Sequence, residues 1–506
     1  MYLVRKIDGW LNGITMYRLV AYVLGVYAAL GISFSLAGVL SFSGVGLVVS
    51  LALALACCFL ANLVLSWVWN VPTNSESWLI TALILFCVMQ PATTSARIAG
   101  VIVASCAAMA GKFLLAVHGK HLFNPAALGA TVAGLVGLAY AGWWIGTPAM
   151  LPFVVIGGLL ITRKVRRFTM VGSAIAAAVA MMIVVSIMHG QPVAGMVKIL
   201  FLSWPILFFA TVMLTEPSTI PPRKMTQVLY AIITGLLFSA QLHYGMLSTS
   251  PHMVLLVGNI FAFVVGSKGR MLLTLQEKQQ SGSSQVFDYR FSTAKPVAFK
   301  AGQYIEWTLP HNHPDDRGNR RTFSIASSPT EKDVHLGVKF YTPSSSYKRA
   351  LHDMEPGQEM WAGHVAGDFV LPGNQHEKLL WIAGGIGITP FRSMAQYIID
   401  TKQQRDIVLL YAVNNVEELV FMDVFARAET CGLHVIPVLG AGKPPAGWKG
   451  QTGMITEEMI AKQVPDYRER RFYLSGPNAM VNAFRSMVMH MGVARRRIVT
   501  DFFSGY

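Results

Sequence analysis

After Arg18 the next charged side chain is Glu76, and after Lys120 the next is Arg163. A soluble fold rarely leaves such stretches without charge. A bilayer demands them, because a spanning helix needs about 20 apolar residues. Residues 1–270 hold 15 Lys and Arg but only three acids, Asp8, Glu76 and Glu216; the other 236 residues hold 26 basic and 23 acidic side chains. The first half reads as a membrane domain and the second as soluble. The net charge of +15 collects in loops of the membrane half. There it reports orientation in a lipid bilayer, and no nucleic-acid partner is expected. Five cysteines show no C-x-x-C spacing, so neither a metal site nor a cysteine-ligated cluster is expected.

Ten apolar segments lie near residues 17–36, 44–70, 77–92, 97–117, 124–142, 148–162, 168–188, 197–214, 226–243 and 250–267. The basic residues follow the even-numbered segments: Lys120, "RKVRR" at 163–167, Arg223 with Lys224, and "KGR" at 268–270. This predicts about ten transmembrane helices in a bacterial-type cytoplasmic membrane, with both termini and the soluble half cytoplasmic. The first apolar segment carries no short cleavable signal pattern and reads as retained.

The stretch "LQEKQQSGSS" is polar and reads as a linker, placed at 271–284 after a membrane domain at 1–270. Residues 285–373 alternate in short apolar and polar runs with Gly/Pro turns, which predicts an antiparallel β-barrel. From 374 to 506, "KLLWIAG", "DIVLLYAV", "HVIPVLG" and "RRFYLSG" are continuous apolar strands between helical stretches, as in a parallel α/β sheet.

Chemistry concentrates in four soluble motifs. "RRTFSIASSP" puts Arg321 and Phe323 on one strand face and Thr322 and Ser324 on the other. An arginine clamps pyrophosphate, and a hydroxyl hydrogen-bonds a flavin ring. "SSSYKRALHD" places Ser345 and Ser346 ahead of a helix, a seat for phosphate. "IAGGIGITPF" is strand, glycine turn and helix start, the order a dinucleotide needs. "YLSGPNAMV" ends another strand with a turn of small residues.

In this order the motifs resemble the ferredoxin–NADP⁺ reductase superfamily over about 285–506. The resemblance implies an FAD-binding β-barrel and a nicotinamide-binding α/β domain. It places Arg321, Thr322, Phe323 and Ser324 on FAD and Ser345 and Ser346 on its phosphates, with "AGQY" (301–304) and "GDF" (367–369) near the flavin. It sets Gly384, Gly385, Gly387, Thr389 and Pro390 against the nicotinamide nucleotide, with Gly476, Pro477 and Met480 opposite. Asp501 and Phe503 fall where the family keeps an acid and an aromatic by the flavin ring, and with Ser324 they form the catalytic set. Many members have Cys-Gly where this chain has Ser475-Gly476. Asn414 and Asn415 carry no neighbouring cation in the sequence for a 2′-phosphate, which favours NADH over NADPH.

The membrane-half histidines His118, His121, His189, His243 and His252 lie at segment ends or in loops. No segment offers a pair spaced for two haems. His118 and His121 read as helix caps or headgroup contacts. "GKFLLAVHGKHLFNPAALG" (111–129) and "FFATVMLTEPSTIPP" (208–222) resemble the NqrB/RnfD family, membrane components of the sodium-translocating NADH:quinone reductase and of the Rnf electron-transport complex. That family's Thr-Asp-Pro appears here as Thr215-Glu216-Pro217. The resemblance implies membrane-embedded flavin carriers at Lys112, Asn124, Thr215 and Glu216. The family's covalent Asp-Gly-x-Ser-Gly-Ala-Thr motif is missing, so the carrier expected is a noncovalent FMN or riboflavin. Two readings stand for Lys112: pairing with a flavin, or snorkelling to the surface. Thr131, within a Gly-Ala-Thr run, reads as a packing residue.

Together these features predict an oxidoreductase that moves hydride from NAD(P)H to FAD. Electrons then pass through the membrane domain to an extracytoplasmic flavinylated or other redox protein. Membrane quinone is the rival acceptor. A transporter with a redox-sensing reductase domain is the rival of another class, disfavoured by the scarcity of acids in the helices.

Overall fold

The computed structural model describes residues 6–501 apart from 8, 12–13, 70–74, 118–119, 241, 245–246, 267–268, 282–284, 313, 316–317 and 442–443. The chain divides into two compact units that meet in sequence at Lys268 and Gly269.

The first unit is helical: α1 (Met16–Leu36), α2 (Gly44–Trp69), α3 (Ser75–Val88), α4 (Ser95–Leu114), α5 (Pro125–Leu135), α6 (Leu151–Val165), α7 (Phe168–Met188), α8 (Val193–Leu202), α9 (Lys224–Ser239) and α10 (Pro251–Val265). Each apolar segment of the sequence thus forms a helix, but the expectation of ten crossings is corrected by length. Among the described residues, four helices, α1, α2, α4 and α7, are long and apolar enough to cross a membrane; a fifth crossing follows if α8 and Ile206–Met213 count as one bent span. Helix α3 has 14 residues and α5 has 11, about 21 and 17 Å of rise, against about 30 Å of hydrocarbon. The eighth segment bends by 58° where Pro205 interrupts it, since proline lacks the amide donor and clashes with the preceding turn. Phe209–Met213 then winds as a π-helix that ends just before Glu216.

Small residues let these helices approach closely. A Cβ on Gly129 of α5 would lie 2.2 Å from the Ala104 carbonyl oxygen of α4, and one on Gly235 of α9 would lie 2.2 Å from that of Ala174 on α7. Thr131 is buried and donates to the Ala127 carbonyl at 2.8 Å. Outward faces carry Leu60, Leu63, Val64 and Trp67, an apolar surface suited to lipid.

The second unit opens with an antiparallel sheet: β1 (Arg270–Gln280), β2 (Val286–Thr293), β3 (Tyr304–Thr308), β4 (Arg320–Ser324), β5 (Val334–Lys339) and β6 (Glu359–Ala366), in the order β4-β3-β6-β1-β2-β5. Two expectations change. The stretch read as a linker is mostly strand β1, paired with both β6 and β2. Its Leu273 and Leu275 are buried among Tyr289, Phe291 and Trp307, while its exposed half supplies the polar composition. The barrel is a curled sheet with β4 and β5 as edges, drawn together where Ala326 donates to His335 at 3.0 Å. Helix α11 (Ser346–His352) precedes β6.

A parallel sheet follows: β7 (Leu379–Gly384), β8 (Ile407–Val413), β9 (Leu433–Leu439), β10 (Gln451–Thr452), β11 (Arg471–Ser475) and β12 (Ile498–Thr500), in the order β10-β9-β8-β7-β11-β12. Leu379, Trp381 and Ala383 pack into one core and Leu380 and Ile382 into another, so both faces are covered. Helices α12 (Thr389–Asp400), α13 (Met422–Ala428), α14 (Glu457–Gln463) and α15 (Asn478–His490) complete the unit.

Candidate functional site

The parallel sheet grows outward from β7 in one direction through β8, β9 and β10, and from β11 to β12 in the other. The order therefore reverses between β7 and β11, and ligands of open α/β sheets bind at the carboxyl ends of strands at such a point. The two glycine motifs sit there. A Cβ on Gly387 would fall 2.6 Å from the Cα and N of Gly476, and one on Gly384 would fall 2.3 Å from the Met480 sulfur. Gly385 (φ 52°) and Gly476 (φ 150°) adopt backbone angles that side chains rarely tolerate. Thr389 and Pro390 start α12, and Pro477 caps α15. Two walls of bare backbone face each other, a cradle that only glycine leaves open for a nucleotide.

Asp501 follows β12, and its amide donates to the Leu474 carbonyl at 2.9 Å. One oxygen, Oδ2, accepts Ser324 Oγ at 3.2 Å and Ser475 Oγ at 3.3 Å. The hydroxyl expected at the flavin ring, the acid and the residue that departs from Cys-Gly thus form one buried cluster. Phe503 lies outside the described residues.

Arg321 stacks its guanidinium 5.1 Å from the Tyr347 ring centroid and gives Nη2 to Asp315 Oδ1 at 3.2 Å. The Ser346 amide donates to the other oxygen of Asp315 at 3.0 Å, while Ser345 caps α11 through the Lys348 amide. Two donors assigned to phosphate on sequence grounds therefore converge on one carboxylate. Their spacing suits an anion, so the residues present fit a flavin pyrophosphate. Burial and the neighbouring Glu306 push the Tyr347 phenol far up, while Arg321 opposes the shift. Phe323 lies 6.1 Å from Tyr347 between ring centroids, and Thr322 is half-buried on β4 opposite Glu306. The other two barrel motifs meet: Gln303 Nε2 donates to the Gly367 carbonyl at 3.0 Å, and Gly302 (φ 92°) abuts the Phe369 carbonyl.

Among the described residues no group of three His, Cys, Asp or Glu is placed to hold a metal. Beyond β8, Asn415 precedes a short 3₁₀ turn, where Glu418 pairs with Lys339 of β5 at 2.7 Å. The fold thus brings up a cation that the sequence neighbourhood lacks, and that cation is already paired.

In the helical unit, a small cavity of about 40 Å³ is bounded by Lys112, Asn124 and Glu216, with Ser77, Thr81, Met16, Val20, Ile84 and Val212 among its other walls. Asn124 caps α5 as expected, its side chain accepting from Ala127, and its amide is held by Asn259 Oδ1 at 2.8 Å. Asn124 Nδ2 donates to Glu216 Oε2 at 2.7 Å, and His121 Nε2 meets Glu216 Oε1 at 2.9 Å. Lys112 does not snorkel: its Nζ donates to the Ser77 carbonyl and hydroxyl, both at 2.8 Å, and to Thr81 Oγ1 at 3.1 Å. Thr215 is not a wall of the cavity, because its hydroxyl turns back to the Thr211 carbonyl at 2.8 Å. His121, read as a cap or headgroup contact, is instead the partner of the acid. His118 lies outside the described residues. Ser77, Thr81, Asn259 and Asp315 were not singled out by the sequence; only Asn259, a lone amide in an apolar helix, carried a visible signal.

Residues 381–486 match the oxidoreductase NAD-binding domain family. Curated relatives match about two fifths of the chain. The glycine betaine monooxygenase reductase component of Chromohalobacter salexigens is 27% identical over 40% of this chain and 56% of its own. The phenol hydroxylase P5 protein of Acinetobacter pittii is 28% identical over 42% and 60%. The F component of the Na⁺-translocating NADH-quinone reductase of Methylococcus capsulatus is 28% identical over 37% and 49%. In each case the chain spans less than two thirds of the relative's length. A crystal structure of an Amycolatopsis cytochrome P450 reductase is 25% identical over 47% of this chain and 71% of that one, with a TM-score of 0.42. The second unit is a ferredoxin–NADP⁺ reductase-like FAD- and NAD(P)H-binding domain. It is an NAD(P)H-dependent oxidoreductase domain.

Proposed function

We propose that this chain is a membrane electron-transfer enzyme that takes hydride from NADH at the second unit and passes the electrons through the helical unit. The observation that carries this reading is the presence, in one polypeptide, of a nucleotide cradle and a helical unit whose cavity joins Lys112, Asn124 and Glu216.

Arg321 and Ser346 would hold the FAD pyrophosphate, and Gly384, Gly387 and Gly476 would admit the nucleotide. Bound FAD supplies a two-electron acceptor that releases electrons singly. Ser324, held by Asp501, would offer its hydroxyl oxygen to the flavin ring, and Ser475 donates to the same carboxylate oxygen. Orientation by such fixed groups is the chain's main contribution to hydride transfer. The pairing of Lys339 with Glu418 occupies the cation that the fold brings near Asn415, which supports NADH over a nucleotide with a 2′-phosphate.

The helical unit would carry a noncovalent FMN or riboflavin, with Lys112, Asn124 and Glu216 as its polar contacts. From there electrons would reach a flavinylated or other redox protein outside a cytoplasmic membrane, the second unit being cytoplasmic. A quinone is the second reading, favoured by the relative that is a component of an NADH-quinone reductase.

Extraction of the purified full chain should yield FAD plus a second flavin. FAD alone would defeat the second flavin. NADH oxidation with ubiquinone-1 and with a purified extracytoplasmic flavoprotein separates the acceptors: turnover with the quinone alone removes the transmembrane reading.

A further inference from the structure

Basic side chains gather at the amino-terminal edge of the parallel sheet, around the starts of β7, β11 and β12 and on the second half of α15. Some are answered locally. Lys378 pairs with Asp466 at 3.0 Å and Glu469 at 2.8 Å, Arg470 with Asp406 and Asp466, both at 2.7 Å, and Arg471 with Glu377 at 3.6 Å. Those four carboxylates are thereby committed. Arg468, Arg485, Arg495, Arg496 and Arg497 are left over, and among the described residues none of them forms an ion pair.

The leftover arginines are neighbours. Arg497 donates through Nη1 to the carbonyls of Arg468 at 2.9 Å and Glu469 at 3.1 Å, which sets the residue before β12 beside the turn before β11. Burial and the charge of nearby Arg495 both push the Arg485 guanidinium down. Arg485 is half-buried, and the other four are exposed. Like charges held together without counter-ions repel. The fold does not need all of them there, since Arg495 and Arg496 make no side-chain hydrogen bond among the described residues.

An anion opposite this surface would relieve the repulsion. Guanidinium groups suit phosphate because they are always charged and present a fork of donors. A soluble anionic partner has to arrive by diffusion. A bilayer holding the helical unit is instead tied to this unit through the chain at Lys268 and Gly269, which keeps its headgroups at high effective concentration. The nucleotide cradle opens at the carboxyl ends of the same sheet, so occupation of one edge leaves the other accessible. We infer that Arg468, Arg485, Arg495, Arg496 and Arg497 form a docking surface for the anionic phosphate headgroups of the bilayer. This rests on the reading of the helical unit as membrane-embedded. Each arginine brought to an anionic membrane surface adds about fivefold in affinity, and the attraction fades within a Debye length.

The test uses the full chain in lipid nanodiscs made of phosphatidylcholine alone or with phosphatidylglycerol added. Phenylglyoxal, which modifies accessible guanidinium groups, is applied at low salt, and the modified residues are read by mass spectrometry. Exposed Arg427 of α13 is the internal reference, and turnover of NADH with ferricyanide is the control for folding. Relative to Arg427, Arg468 and Arg485 should react about tenfold more slowly in discs containing phosphatidylglycerol, and high salt should abolish the difference. In R495Q/R496Q the protection should fall below about threefold with ferricyanide turnover unchanged. Equal rates in the two kinds of disc overturn the docking surface, as does protection that R495Q/R496Q retains in full. Protection that appears only when polyuridylate is added to phosphatidylcholine discs also overturns it and points to nucleic acid. A chain that alkaline carbonate strips from native membranes fails at the earlier step, the membrane-embedded helical unit.

Discussion

Asp501 Oδ2 accepts the hydroxyl of Ser324 from 3.2 Å across 177 residues of sequence. This contact ties the last parallel strand to β4, an edge strand of the curled sheet, within the second unit. With Ser475 on the same oxygen, the carboxylate is shared by two hydroxyls that belong to different halves of the unit.

Removing the Ser324 hydroxyl should slow reduction of FAD by NADH. S324A is expected to lose about 100–1,000-fold in the stopped-flow rate, the range for losing one positioned hydrogen-bonding group near developing charge. FAD content should be unchanged. A rate within twofold of the wild type would remove Ser324 from the catalytic set.

Gly387 has no room for a side chain. A Cβ there would meet backbone of Gly476 at 2.6 Å, and backbone cannot rotate away. G387A should push the two walls of the cradle apart and raise the NADH KM at least tenfold, with FAD still bound. An unchanged KM would place the nucleotide elsewhere.

Asp315 occupies the donors that FAD phosphate would use, Arg321 Nη2 and the Ser346 amide. Flavin binding must compete with this internal carboxylate. D315N should bind FAD about tenfold more tightly in a fluorescence titration, a difference of about 1.4 kcal/mol. Weaker binding would make Asp315 a support for Arg321 instead.

The Arg470 guanidinium, with Lys378 beside it, holds the Asp466 carboxyl below its ordinary range. A lowered folded-state value means stability that is fully present above the unfolded carboxyl range and lost as pH falls through the folded value. The wild type should therefore lose resistance to urea, read as FAD release, below about pH 4. D466N should be less resistant at pH 7 and change less on acidification. Parallel wild-type and D466N curves would exclude this contribution.

Much of the second unit is legible because its signals are local. Gly384 to Pro390 carry strand, turn and helix start in one contiguous run, and β7 and β8 are unbroken apolar strands. Strand β1 is hidden because its core contacts, Leu273 and Leu275 with Met271 partly buried beside them, are confined to its first half, while Gln276, Glu277, Gln279 and Gln280 face solvent. In the helical unit, Lys112, Asn124 and Glu216 stand out one by one as polar residues in apolar surroundings. Their meeting at one cavity depends on long-range packing that no periodicity encodes. His121 is separated from Glu216 by 95 residues, so its partner is visible only in three dimensions. Hydropathy overcounts the crossings for a related reason: it detects an apolar helix but not one that stops after 11 or 14 residues.

Ser475 has one more effect. Of the five cysteines, only Cys431 belongs to the second unit. It is buried just before β9, at the amino-terminal edge of the parallel sheet, whereas the cradle lies at the carboxyl edge. Electron entry therefore has no sulfhydryl for peroxide or an alkylating agent to attack. The sulfur that the cradle does present is the thioether of Met480 beside Gly384, which peroxide converts reversibly to the sulfoxide.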